Sequence, residues 1–242
     1  MEKIALVTGS TNNVGKSGAE ALSSDGFLVV ITSRHETGAK AAVDGLAPKG
    51  AYFQVDFSDA EQIKSLFVFM KQKFGRLDVL VNNVAFTANE SILDCSLENW
   101  ERTINTNLRS YFLCTKYAAE MMKETGGGCI VNITISNARG GADKFSYIVS
   151  KGGVNSLTGC AAADLARYKI RVNAVGIGPT GTPVGSRDYP ERKRSYDFPG
   201  ALAGHIGHPN DIARAVSFLV SDKASFIYGA TLNVDGGYGL AR

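Results

Sequence analysis

This chain has no apolar run approaching the roughly 18 residues needed to cross a bilayer. It opens Met1-Glu2-Lys3 and passes straight into the short run Ile4–Val7, too brief for the apolar core of a secretory signal. A cytoplasmic protein with no membrane association is therefore expected. Cysteine is sparse: Cys95, Cys114, Cys129 and Cys160 are scattered, with no C-x-x-C pair and no histidine at metal-ligand spacing. That pattern argues against a zinc site or a disulfide framework and points to free thiols in a reducing compartment. Charge of one sign is also scarce. Twenty-six basic residues against 23 acidic ones leave +3, too little for a nucleic-acid-binding surface. No proline- or serine-rich linker and no internal repeat interrupts the chain, so one domain over 1–242 is expected.

What is present is an alternation. Short runs rich in Val and Ile read as strands at 4–8, 27–32, 51–55, 79–82, 129–133, 171–175 and 231–234. Helical patterns lie between them, at 14–24, 59–74, 99–124, 147–167 and 209–221. Strands that are apolar throughout are covered on both faces. The pattern predicts an α/β fold: a doubly wound parallel sheet with right-handed crossovers and helices on both faces. Ligands of such sheets bind outside the carboxyl ends of the strands, which directs attention to the residues after Thr8, Thr32, Val55, Asn82, Ile133 and Val175.

Two features there carry chemistry. The first is the turn Thr8-Gly9-Ser10-Thr11-Asn12-Asn13-Val14-Gly15-Lys16-Ser17. Glycine lets a backbone approach a phosphate, and the helix that follows offers free N–H groups and the positive end of its dipole. Gly15-Lys16-Ser17 matches the tail of a P-loop, but five residues rather than four separate Gly9 from Gly15, and G-x-G-x-x-G is not matched either. The second feature is the pair Tyr147 and Lys151. Four residues is one helical turn, so both side chains share a face. An ammonium beside a phenol favours the phenolate and suits it to proton transfer near neutral pH.

In order along the chain, these segments resemble the short-chain dehydrogenase/reductase family. Thr8, Gly9 and Gly15 match its glycine turn, with Asn13 in place of the middle glycine; asparagine tolerates left-handed backbone angles. Asp56 resembles the family's adenine-contacting aspartate. Asn82-Asn83-Val84-Ala85 is similar to N-N-A-G, Asn107 to the catalytic asparagine, and Tyr147 with Lys151 to the Y-x-x-x-K pair. Arg171–Gly178 is similar to R-V-N-A-V-x-P-G with Ile177 replacing proline, and Asp235-Gly236-Gly237 to D-G-G. The resemblance implies a single-domain Rossmann-type fold. It also implies a nicotinamide dinucleotide held by Gly9, Thr11, Asn12, Val14, Gly15, Ser33, Arg34, Asp56, Phe57, Asn83, Ala85, Tyr147, Lys151 and Thr182. Tyr147 would be the general acid/base, Lys151 would bind the nicotinamide ribose and depress the tyrosine pKa, and Asn107 would hold a relay water. The family's serine is displaced: counting forward from Asn107 reaches Ile135, and counting back from Tyr147 reaches Thr134. Ser136 is the chosen hydroxyl, with Thr134 and no hydroxyl at all as alternatives.

The end of the second strand selects the cofactor. An acid there accepts the ribose 2′-OH of NAD, and an arginine accommodates the 2′-phosphate of NADP. Ser33 stands at the acid's position and Arg34 follows, so NADP(H) is expected, with NAD(H) possible. Residues 183–208, basic at Arg187 and Arg192–Arg194 and aromatic at Tyr189, Tyr196 and Phe198, form a candidate substrate lid. The expected reaction interconverts a small-molecule carbonyl and alcohol. Reduction of an enoyl C=C bond and a catalytically weak dinucleotide sensor or scaffold are the rivals. The family resemblance also implies a homodimer or homotetramer built through the helices at 99–124 and 147–167.

Overall fold

The computed structural model describes residues 2–47, 50–136, 142–181 and 200–240. Seven strands form one sheet: β1 (Ile4–Val7), β2 (Leu28–Ser33), β3 (Ala51–Gln54), β4 (Val79–Asn82), β5 (Gly128–Ile135), β6 (Ile170–Ile177) and β7 (Thr231–Val234). Their order is β3-β2-β1-β4-β5-β6-β7, and every pairing is parallel. The direction of winding reverses between β1 and β4. This is the Rossmann-type architecture expected.

The helices are α1 (Asn13–Ser24), α2 (Glu36–Asp44), α3 (Ala60–Phe74), α4 (Leu97–Ile104), α5 (Ser110–Glu124), α6 (Phe145–Leu165) and α7 (Pro209–Val220). Side chains alternate across each strand, so the sheet has a core on each face. Leu6, Val30, Leu80, Ile130 and Val172 pack with Ile63 and Met70 of α3, Cys114 of α5 and Ala161 of α6. Val7, Val29, Val81, Val131 and Val175 pack with Leu22 of α1, Val43 of α2 and Val216 of α7.

That allocation of helices breaks one expectation. The crossovers from β1 to β6 all have one hand, because the helices change face where the winding reverses. The last one, β6–α7–β7, winds onward in the same direction but places α7 on the face of α1, so its hand is opposite. The close packing this demands is visible at Gly178, just past β6. A Cβ there would lie 2.5 Å from Asp235 Cβ and 2.6 Å from its Cα.

Local signals set the helix ends. Asp59 caps α3 by accepting from Glu61 and Gln62 N–H groups, and Gly75 ends it in the left-handed region at φ 67°. His208 and Asp211 form a reciprocal cap at the start of α7, with Pro209 at its first position. Two departures from the sequence reading matter. Helix α2 falls between the second and third strands, where no helical pattern is singled out; only Ala39 and Val43 are buried on it, too thin an apolar stripe for periodicity to reveal. The stretch read as one helix over 99–124 is two, α4 and α5, joined by a π-turn at Asn105–Arg109. Such turns insert an extra residue into a helix and are frequent at functional sites. No helix among the described residues is long and apolar enough to cross a membrane.

Candidate active site

The reversal between β1 and β4 brings the loops after both strands together, and partly buried hydrogen bonds lock them. Thr8 Oγ1 accepts from Asn83 N–H at 2.8 Å and Val84 N–H at 3.0 Å. The Asn83 amide donates to the carbonyls of Thr8 at 2.9 Å and Gly9 at 3.0 Å. Thr32 ties in β2, accepting from Gly9 N–H and donating to Val7 O, each at 3.0 Å.

Within this bracket the turn makes a cradle. Gly9 has φ 63° and Asn13 φ 46°, so asparagine takes the left-handed backbone that the family's middle glycine would take, and its side chain is exposed. A Cβ on Gly15 would lie 2.3 Å from Gly9 O and 2.5 Å from Asn83 Nδ2, which only glycine avoids. The Asn12 side chain makes no capping bond to α1, so the first N–H groups of the helix are not consumed by it. This cradle fits a pyrophosphate. Thr11, Asn12 and Val14 lie along its rim, half-buried or exposed.

The ends of β2 and β3 flank the cradle. Ser33 Oγ accepts from His35 N–H at 3.1 Å, and Gln54 Nε2 donates to Arg34 O at 3.0 Å, fixing the backbone that carries the exposed Arg34 side chain. Glu36, three residues past Ser33, is occupied by Lys40 at 2.8 Å and the Tyr52 hydroxyl at 2.6 Å. Those two hydrogen bonds hold its carboxyl below the usual range. Burial pushes the Asp56 carboxyl up, but bonds from Ser58 N–H and Oγ, with Arg34 and Arg102 nearby, outweigh it and hold it low. The Phe57 side chain is buried in the core, which leaves its backbone for any ligand. Ala85 is exposed after β4.

On the other side of β4 stand the residues expected to be catalytic. The structure brings Asn107, Tyr147 and Lys151 together and makes Asn107 a bracket. From the π-turn, its Oδ1 accepts from Phe86 N–H at 2.7 Å; its Nδ2 donates to Phe86 O at 2.8 Å and to Ser150 Oγ at 3.0 Å. Ser150 in turn donates to Tyr147 O at 2.6 Å. The loop after β4, the π-turn and α6 are thereby joined.

Lys151 is fully buried. Its Nζ donates to Ile133 O at 2.8 Å and to the Tyr111 hydroxyl at 3.1 Å, and lies 5.9 Å from the Tyr147 ring centre. Burial pushes the amine down to about 7. The Tyr147 hydroxyl makes no hydrogen bond among the described residues, and burial pushes its phenol up to about 12. The lysine was expected to lower that phenol; in the protein alone burial prevails.

Thr134, the alternative to Ser136, is buried, and its hydroxyl donates to Lys151 O at 3.1 Å. Ser136 sits in the turn just past β5, half-buried, with its N–H bonded to Ile177 O and its hydroxyl without a partner among the described residues. Thr182 and most of the candidate lid, 183–199, lie outside the described residues; the remaining part, 200–208, is anchored where Thr180 pairs with Gly207. Sequence reasoning missed Tyr111 and Ser150. Tyr111 looked like an ordinary core aromatic in an apolar helix, and nothing local signals that its hydroxyl meets Lys151.

The sign of the lysine's effect on stability follows from its depressed pKa. Below pH 7 the folded chain bears the full cost of burying a cation. Between about 7 and the ordinary 10.5 the unfolded chain holds the extra proton, so stability rises with pH. Lys151→Met is expected to be more stable than the parent at pH 6, by on the order of a few kcal/mol, and the gain should shrink by pH 9. Thermal melts across that range test this; a gain independent of pH would contradict it.

A family model described as enoyl-(acyl carrier protein) reductase matches residues 9–239. The chain is 36% identical to the 3-oxoacyl-[acyl-carrier-protein] reductase FabG of Haemophilus influenzae, over 99% of each chain. Among solved structures, it superposes on acetoin dehydrogenase YohF from Salmonella typhimurium with a TM-score of 0.92, at 31% identity, covering 100% of this chain and 98% of that one. It superposes on ElxO with NADP bound with a TM-score of 0.90, at 30% identity, covering 98% and 99%.

Proposed function

The chain belongs to the short-chain dehydrogenase/reductase family of oxidoreductases, and we propose that it is an NADP(H)-dependent member interconverting a carbonyl and an alcohol through Tyr147. One observation carries the reading: a Tyr147 hydroxyl with no partner among the described residues stands one helical turn from a buried Lys151 amine, beside a cradle that fits a pyrophosphate. When bound, the nicotinamide gives or takes the hydride. In reduction Tyr147 gives its phenolic proton to the substrate oxygen; in oxidation the phenolate takes the hydroxyl proton. Lys151 stabilises that phenolate and orients the ribose. Ser136, whose hydroxyl has no partner among the described residues, is the residue that would hold the substrate oxygen. Asn107 acts by holding the loop after β4 against α6.

NADP(H) is supported by Arg34, by Ser33 where an acid would select NAD, and by the NADP held in the ElxO neighbour. Reduction of an enoyl C=C bond is the second reading, favoured by the description of the family model. A homo-oligomer through α5 and α6 is supported by the groove of about 350 Å³ between them, lined in part by Phe112, Ala119, Leu157 and Tyr168.

Tyr147→Phe is expected to lower turnover by at least about 100-fold while NADPH still raises the melting temperature. A nicotinamide-absorbance assay with 3-oxoacyl thioester, hydroxyketone and enoyl thioester substrates reads it; retained carbonyl turnover would refute the role. In thermal-shift titrations NADPH should bind more tightly than NADH, and Arg34→Asp should reverse the order, with about 1–3 kcal/mol lost for NADPH. Light scattering should give a mass above the monomer, and Phe112→Glu should reduce it; a monomeric parent would sink the oligomer.

A further inference from the structure

Among the described residues Tyr111 is the largest fully buried side chain, and it carries a hydroxyl into the interior. It lies two residues past the π-turn, on the inner face of α5. Its hydroxyl sits 3.1 Å from Lys151 Nζ, 3.2 Å from Val84 O after β4 and 3.2 Å from Ile133 O in β5. Its ring centre is 4.8 Å from the same Nζ. A core position needs only the ring; a phenylalanine would fill it without burying a hydroxyl.

Counting donors shows what the hydroxyl does. Charged Lys151 has three protons and no lone pair. It donates one proton to Ile133 O and one to Tyr111 Oη, leaving the third for the cleft; the single Tyr111 proton then goes to Val84 O. Neutral Lys151 has two protons and a lone pair. The Tyr111 hydroxyl can then rotate and donate to that lone pair, giving up its bond to Val84 O, while Lys151 keeps its bond to Ile133 O. A phenol is both donor and acceptor, so the site stays satisfied at Lys151 whichever proton count it has. No carbonyl or carboxylate in its place could do so.

We infer that Tyr111 is a positioning residue for Lys151: its hydroxyl holds the amine at the carboxyl end of β5 in both protonation states and sets its proton affinity during turnover. The inference rests on the proposed reading of Tyr147 and Lys151 as the proton-transfer pair. The titratable groups facing Lys151 are the phenols of Tyr111 and Tyr147. Cys114, on the inner side of α5, acts on Tyr111 and is itself kept un-ionised by burial. Burial also pushes the Tyr111 phenol well up, so it stays protonated through the working range.

Tyr111→Phe keeps the ring and removes the hydroxyl. The ammonium then loses an acceptor, a charge-assisted bond. The Lys151 titration, followed by NMR on protein with ¹³C-labelled lysine Cε, should move to lower pH by about one pH unit. In the same variant kcat should fall about tenfold or more, its pH profile should shift in the same direction, and KM for NADPH should stay near the parent's. An unmoved lysine titration and an unmoved pH profile would overturn the inference. If Tyr111→Phe does not fold, 3,5-difluorotyrosine placed at position 111 keeps the shape and weakens the acceptor; the shift should then be smaller and of the same sign, and no shift would overturn the inference equally. If the parent reduces no carbonyl, the proposed function fails, and the lysine titration still decides the part played by Tyr111.

Discussion

A parallel sheet whose winding reverses must leave a crevice, because the helices on either side of the reversal depart to opposite faces. Here that point lies between β1 and β4, and the candidate site follows from it. The glycine turn comes from one side and the loop with Asn83 from the other. Helix α6 descends on the β5 side of the gap with Tyr147 and Lys151 facing inward. Neither half would present an ordered surface without the Thr8–Asn83 hydrogen bonds that close the seam. The cradle tolerates an asparagine where glycine would be simplest because Asn13 takes the left-handed backbone and keeps its side chain exposed.

The buried amine is the costly part of the design. Lys151 lies wholly out of water, with a carbonyl and a phenol in place of a carboxylate. Neutral partners solvate a cation without cancelling it, so the residue remains able to lose its proton. An aspartate there would have produced a stable ion pair and an inert one. The same burial raises the Tyr147 phenol, so the two groups start far from the proton balance a reaction needs.

Much of this was legible in the sequence. Continuous Val- and Ile-rich runs gave away the strands, because burial on both faces leaves no alternation to blur them. The turn residues and the Tyr147–Lys151 spacing marked the crevice before its shape was known. The misses have physical causes. Helix α2 buries two side chains and so has almost no periodic signal. A π-turn is set by tertiary hydrogen bonds through Asn107, which no local propensity encodes. Tyr111 Oη meets partners on the loop after β4, on β5 and on a second helix, a coincidence only the fold creates. That the Thr134 hydroxyl is spent on Lys151 O is a matter of packing, which spacing alone does not reveal. The hand of the last crossover broke a general rule, since its long connection allows α7 to reach the face of α1.

The π-turn has a consequence beyond Asn107. An α-helix rotates about 100° with each residue, so one inserted residue turns every later side chain of α5 by roughly that angle. This phase carries Tyr111 inward to the amine and leaves the adjacent Phe112 half in water, on the side that faces away from the sheet. The interior of the cleft and the outer face of α5 are therefore geared to one another. Deleting a residue from 105–109 would not trim a loop; it would swing the phenol out of the cleft and rewrite the outer surface in a single step.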